Sequence, residues 1–327
     1  MKKKALIIGV TGQDGSYLAE LLLKKKYEVH SLLRKNNKKN RFANILKIKK
    51  YIKFHKISLN NSKEISKLIK KLKPNEIYHL AAQSFINFKF DDEFFRLNPN
   101  INGTHYILSA IKKYSPNTRF YFAASSEIFG NPSTAPQNEN TKFNPRSAYG
   151  ISKLAGYFLT KNYRDAHGIF SCTGILYNHE SERRDINFVS KKIVNSAAKI
   201  KLNISKSIKL GNIHSKRDWG SAKDYVYAMW KMLQLEKPED FVIGTGFQHS
   251  VKDFLSLAFK HLNLDYKKYI KIDKKLIRPK DVNILKADST KAKKILKWKP
   301  KISFKKLVIS MVESELNSLK AHYNKKN

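Results

Sequence analysis

Residues 5–16 read Ala5-Leu6-Ile7-Ile8-Gly9-Val10-Thr11-Gly12-Gln13-Asp14-Gly15-Ser16. The apolar run 5–10 reads as a strand, and 16–25 as a helix with Leu18, Leu21 and Leu22 on one side. Between them, Gly9 and Gly12 let the backbone turn tightly and approach a pyrophosphate. Gly15 lets the helix pack closely on a sheet, and the helix N-terminus offers free N–H groups to an anion. A glycine loop set between a strand and a helix points to dinucleotide binding over a plain turn. The leading Met1-Lys2-Lys3-Lys4 resembles the start of a signal peptide. Its apolar run is too short for one, and Gln13 and Asp14 follow at once.

Outward from this unit the same alternation continues. Strand-like runs at 27–33, 51–57, 76–82 and 119–124 are separated by helical patterns, one capped by Asn61 or Ser62 and running to Leu72, another containing 103–113. This order predicts an α/β fold with a doubly wound parallel sheet. Beyond about residue 180 the order loosens. Helices are expected over 188–198, 221–233 and 304–319, and a strand over 241–246.

The second strand ends in Leu33-Arg34-Lys35. An acidic residue there would bind the ribose hydroxyls of NAD. Two cations, Arg34 foremost, favour the 2′-phosphate of NADP instead. The fifth strand stops in Ser125-Ser126-Glu127, where sheets of this kind present groups to their ligands. Tyr149-Gly150-Ile151-Ser152-Lys153 sets a phenol and an ammonium on one face of a helix. The cation, together with the nicotinamide charge, is expected to lower the phenol's pKa and let it act as a base near neutrality.

Composition narrows the field. The chain of 327 residues suffices for one large or two modest domains. Its 41% hydrophobic content is that of a globular protein, and no apolar run approaches the roughly 20 residues of a membrane helix. Cys172 is the only cysteine, so no internal disulfide forms, which fits a cytoplasmic location. The net charge of +39 raises binding to nucleic acid or another polyanion. The bases are mostly lysines spread along the chain at helical spacing, as in 65–72, without the Arg and aromatic clustering of base readout. A solvated surface is the simpler reading, and no nucleic-acid or membrane partner is expected.

The glycine loop with Ser125, Tyr149 and Lys153 resembles the extended short-chain dehydrogenase/reductase family. Further stretches carry the likeness toward its branch that dehydrates GDP-linked sugars. They are Leu80-Ala81-Ala82-Gln83-Ser84, Asn178-His179-Glu180-Ser181 with Arg183-Arg184, Lys216-Arg217-Asp218-Trp219-Gly220, and Trp298-Lys299-Pro300. The resemblance implies a Rossmann-like NADP-binding domain over 1–180, to which 221–260 returns. A smaller α/β domain over 181–327 would mainly bind the substrate. It implies a GDP-sugar substrate, with GDP-mannose expected and GDP-manno-heptose the rival. A 4-epimerase or 4-keto reductase relative is a further alternative. It also implies a homodimer or homotetramer and no metal.

Its implied roles fall on particular residues of this chain. Tyr149 takes the proton of the sugar 4-hydroxyl, Glu127 acts at C5, Ser125 or Glu127 helps water leave C6, and Lys153 orients the cofactor. Cofactor contacts are expected from Gly9, Thr11, Gly12, Gln13, Asp14, Gly15, Arg34, Ser58, Leu59, Leu80, Ala81, Ala82, Ser84, His179 and Arg184, besides Tyr149 and Lys153. The sugar nucleotide is expected at Ser84, Ser125, Glu127, Tyr149, Asn178, Lys192, Arg217, Arg278 and Asp281. Ser125 stands where the family usually has Thr, and Ser58 where it has Asp.

Overall fold

The pleat of the first strand divides its apolar run between two cores. The computed structural model describes residues 2–33, 42–81, 90–277 and 285–323, with 90–96, 98–99 and 323 described by backbone alone. In it β1 (Lys4–Ile8) sends Ala5 and Ile7 to one face of a sheet and Leu6 and Ile8 to the other. A strand buried on both faces needs no polar alternation, which is why this run is continuous.

Along the chain follow α1 (Gln13–Lys24), β2 (Glu28–Leu33), β3 (Ile52–Lys56), α2 (Ser62–Leu72), β4 (Glu76–His79), α3 (Phe90–Tyr114), β5 (Arg119–Ser125), α4 (Ala148–His167) and β6 (Ser171–Leu176). Asn61 is the cap of α2, its side-chain oxygen accepting from the Glu64 amide at 3.0 Å. Then come β7 (Asn178–Glu180), α5 (Val189–Lys201), β8 (Ile208–Leu210), β9 (Lys216–Ser221), α6 (Ala222–Met232) and β10 (Phe241–Ile243). The described chain closes with β11 (Gln248–Ser250), α7 (Val251–His261), β12 (Ile270–Ile272), α8 (Thr290–Ile295) and α9 (Phe304–Tyr323).

Seven strands form one parallel sheet in the order β10-β6-β5-β4-β1-β2-β3. The winding reverses between β1 and β4, and a crevice opens there beyond the carboxyl ends of the strands. The fold is the α/β doubly wound sheet expected from sequence. On one face, Leu18 and Leu22 of α1 and Met229 of α6 pack on Ala5, Ile7 and Tyr121. On the other, α2, α3 and α4 pack on Leu6, Ile8 and Phe122. A third core joins α5, α7 and α9 around Trp219 and Phe254. It lies beneath the small sheet β11-β9-β7.

Two elements differ from expectation. β6 reads Ser-Cys-Thr-Gly-Ile-Leu, too polar to announce a central strand, yet every residue of it is buried between β5 and β10. Its Ser171 hydroxyl is satisfied by the Thr160 carbonyl at 2.8 Å. Helix α7 has no counterpart in the sequence reading, although Ser250 and Asp253 form a reciprocal capping box at its start.

Candidate functional site

The crevice begins at the glycine loop. Gly9 has φ +105°, a conformation L side chains rarely adopt, and a Cβ there would lie 3.0 Å from the Ala81 nitrogen. The Leu80 amide donates to the Ile8 carbonyl (3.0 Å) and brings β4 alongside the loop. The Gly12 amide closes the turn onto the Gly9 carbonyl at 3.1 Å. Gly12 caps α1 with no side-chain hydrogen bond, so the first-turn amides have no intrahelical acceptor. A side chain at Gly15 would collide with the Gly9 carbonyl. The result is a bare helix start ringed by backbone donors, which fits a pyrophosphate. Thr11 lends its carbonyl to Asn44 at 3.2 Å. Leu59 packs against Gly103, and the Ser58 hydroxyl accepts from the Asn60 amide at 3.3 Å.

The side chains of Gln13 and Asp14 are committed elsewhere. Gln13 donates to the His179 carbonyl (3.0 Å) and accepts from the Ser181 hydroxyl (2.7 Å). Asp14 lies 2.8 Å from Nε2 of His179, whose Nδ1 meets the Tyr177 carbonyl at 2.7 Å. The ring donates to both acceptors at once only as an imidazolium, with an N–H on each nitrogen. Burial alone would push both groups toward neutrality. Their mutual attraction overcomes it, raising His179 and lowering Asp14. Arg184 pairs with buried Glu180 at 3.0 Å and rests over Phe188.

The reactive groups gather at the end of β5. Ser125 caps the short turn Ser126–Ile128, its hydroxyl accepting from the Glu127 amide at 3.3 Å. Ser147 caps α4 through the Gly150 amide at 3.1 Å. A Cβ on Gly150 would lie 2.7 Å from the Glu127 carbonyl oxygen, so α4 can seat directly on that turn. This contact brings Tyr149 to Ser125 and Glu127. One turn on, buried Lys153 donates to the Ala123 carbonyl at 2.7 Å.

The sequence reading takes the Lys153 charge together with the nicotinamide charge; the protein's own groups by themselves set the Tyr149 phenol high. Burial, with the Glu127 charge adding to it, pushes it up to about 12 against the Ser125 hydrogen bond and Arg184. Lys153 is turned onto the Ala123 carbonyl, 5.9 Å from the centre of the Tyr149 ring. Burial brings its own pKa down to about 8, with Asp14 opposing.

On the substrate side, Asn178 of β7 pairs with Trp219 of β9, two residues from Arg217. Arg217 donates to the Lys216 carbonyl at 2.7 Å. Lys192 lies in the first turn of α5, where its neighbour Lys191 is tied to Glu315 at 2.5 Å. The small sheet thus brings Asn178 and Arg217 together, and β7 lies against the crevice through His179. Arg34, Ala82, Ser84, Arg278 and Asp281 lie outside the described residues.

Two residues escaped sequence reasoning. Asp218 is buried and accepts from the Thr245 amide and hydroxyl (2.8 and 2.6 Å), the Gly246 amide (2.8 Å) and the Ala287 amide (3.2 Å). It fastens the loops around the small sheet. Its place in the Lys216–Gly220 stretch was the signal it offered. His79 ends β4 fully buried, both ring nitrogens without a partner among the described residues. Burial, with Lys153 nearby, lowers it to about 3. Among the described residues no cluster of three metal-ligating side chains occurs, and no helix is long and apolar enough to cross a membrane.

Comparison with known proteins fits this geometry. The family model described as GDP-mannose 4,6 dehydratase matches residues 6–311. The chain is 42% identical to GDP-mannose 4,6 dehydratase 1 of Arabidopsis thaliana, over 98% of this chain and 91% of that protein. It is 42% identical to the Homo sapiens GDP-mannose 4,6 dehydratase, over 98% and 93%. Among solved structures, dTDP-glucose 4,6-dehydratase of Bacillus anthracis in complex with NAD superposes with a TM-score of 0.85. It has 19% identity and covers 97% of this chain and 98% of that one, a likeness of fold. With the fold, the glycine loop and the Ser125–Glu127–Tyr149 cluster on one crevice, the chain belongs to the GDP-mannose 4,6-dehydratase family.

Proposed function

We propose that the chain dehydrates GDP-mannose to the GDP-4-keto-6-deoxy sugar, using NADP held at the glycine loop. The observation that carries this reading is the seating of α4 on the Glu127 turn, which unites a phenol, a hydroxyl and a carboxylate at one strand end. A bound nicotinamide would accept hydride from C4 and return it to C6.

The chain's residues do the rest. Tyr149 first gives up its own proton to solvent and then, as phenolate, takes the 4-hydroxyl proton, with the Ser125 hydroxyl steadying the phenolate. The 4-ketone so formed makes the C5 hydrogen acidic. Glu127 removes it, and water leaves from C6 with Ser125 or Glu127 delivering a proton to the departing hydroxyl. Where Ser125 delivers that proton, the one Tyr149 took replaces it and Glu127 returns its own to C5; where Glu127 delivers it, Glu127 draws the C5 proton from solvent as Tyr149 releases its own. Lys153 anchors the base of the site through Ala123. Gly9, Gly12 and the first-turn amides of α1 hold the diphosphate of the cofactor. Leu59, Leu80 and Ala81 wall its nucleoside ends. Asn178, Lys192 and Arg217 hold the GDP-sugar, mainly from the 181–327 half of the chain.

The choice of NADP rests on Arg34 in the sequence, and the family resemblance assigns Arg278 to the diphosphate of the GDP-sugar and Asp281 to its guanosine ribose; all three lie outside the described residues. A homodimer or homotetramer is supported by α4, where Ile151 and Phe158, seven residues apart, are each about half exposed (51% and 52%). The reaction is placed in the cytoplasm, where the lone buried Cys172 stays reduced.

The test is incubation with GDP-mannose and GDP-manno-heptose, each with NADP or NAD. A 4-keto-6-deoxy product from GDP-mannose, formed without accumulation of reduced cofactor, is expected. A 4-epimer, or net reduced cofactor, would overturn it.

A further inference from the structure

The carboxylate of Asp14 and the ring of His179 are 165 positions apart in sequence and 2.8 Å apart in the fold. One belongs to the helix start that cradles the cofactor, the other to the strand that carries Asn178 toward the sugar nucleotide. The ring is fixed on three sides, by Asp14, by the Tyr177 carbonyl, and by stacking on buried Tyr225 at 4.5 Å and 27°. Gln13 adds a parallel tie to the His179 carbonyl. Together these contacts make the two halves of the crevice meet through one charged pair.

We propose that Asp14 and His179 form a protonation-dependent clasp, a positioning pair that docks the substrate-side sheet on the cofactor loop. This rests on the dehydratase reading above. The clasp is not a catalytic pair, because both ring nitrogens of His179 are already committed to Tyr177 and Asp14. Its strength depends on His179 holding both protons. The neutral ring keeps only one of the two bonds, since its lone pair then faces the Asp14 carboxylate at Nε2 or the Tyr177 carbonyl at Nδ1, and either way the charge that draws it to Asp14 is gone.

The groups facing the pair are Arg184, which acts on both members, Lys153 and Tyr149 beside Asp14, and Tyr121 beneath it. Arg184 opposes the imidazolium and supports the carboxylate. The sign follows. His179 is raised, so the clasp is whole below its folded pKa and is lost as pH rises through it. Asp14 is lowered, so the acid side fails only below the ordinary carboxylate range.

The experiment compares the parent with Asp14→Asn, His179→Gln and the double variant. Histidine ring NMR should show the His179 titration moving to lower pH in Asp14→Asn. In the parent, KM for GDP-mannose should climb on the alkaline side. In Asp14→Asn that climb should begin at lower pH, with KM near pH 7 raised about tenfold and kcat changed less. The double variant should be no worse than either single one. An unmoved His179 titration, a KM profile unchanged in Asp14→Asn, or additive losses in the double variant would overturn the clasp. If the parent itself gives no 4-keto product, the dehydratase reading fails. The NMR titration and a thermal unfolding cycle over the same four proteins still decide whether the pair couples.

Discussion

The two ends of the central sheet handle a carboxylate in opposite ways. At the amino ends of the strands, buried Glu76 of β4 accepts from the Tyr27 and Tyr78 hydroxyls at 2.8 and 2.7 Å and from Gln234 at 3.1 Å. Every donor there is spent on holding β4, β2 and α6 together. At the carboxyl ends, Glu127 is half-buried, and its carboxylate takes no hydrogen bond from a described residue. The saturated carboxylate is a rivet, and the open one is available to chemistry. The contrast follows from the fold, because parallel strands turn their last residues toward the ligand crevice.

Variants break or sharpen this contrast in descending order. Tyr149→Phe removes the proton acceptor and should lower kcat about 10⁴-fold, read by 4-keto product formation, with unfolding unchanged. Glu127→Gln should lower turnover about 10³-fold while a single-turnover absorbance trace still shows C4 oxidation. Full turnover in that variant would remove the role given to the carboxylate. At the other end, Glu76→Ala should leave the rate per folded molecule nearly intact. It should cost about 3 kcal/mol in denaturant unfolding, because three donors lose their acceptor.

The smallest effect is one of pH. Lys153 titrates at about 8 in the fold against 10.5 ordinarily, because burial disfavours its charge. The unfolded chain therefore binds the extra proton between those values, and stability rises with pH across that window. Lys153→Met should be more stable than the parent by about 2 kcal/mol at pH 7, net of the lost bond to Ala123. The gain should vanish above about pH 10.5, which urea titrations at several pH values would reveal.

How far the sequence disclosed this differs between the same regions. The glycine loop, β1 and Tyr149 were legible because local spacing determines them. The apolar run 5–8, the turn glycines and a tyrosine one turn from a lysine need only neighbours to be understood. The substrate half was less so. β7, β8, β11 and β12 are three residues long, too short for any periodicity to register. β6 disguises a central strand behind small polar residues, since Gly174 must leave room for the Tyr121 ring. The clasp and the Asp218 fastening depend on partners far along the chain. Sequence spacing placed Lys153 one turn from Tyr149 but does not reveal that its ammonium turns to Ala123.

The missing methyl at Gly150 governs timing as well as packing. Base and carboxylate sit together only because nothing stands between α4 and the Glu127 carbonyl. On the proposed mechanism, oxidation at C4 and proton removal at C5 are thereby bound into one visit of the sugar. A wedge as small as alanine would part the two half-reactions. The protein would then become a leaky oxidant that releases its ketone before water can depart.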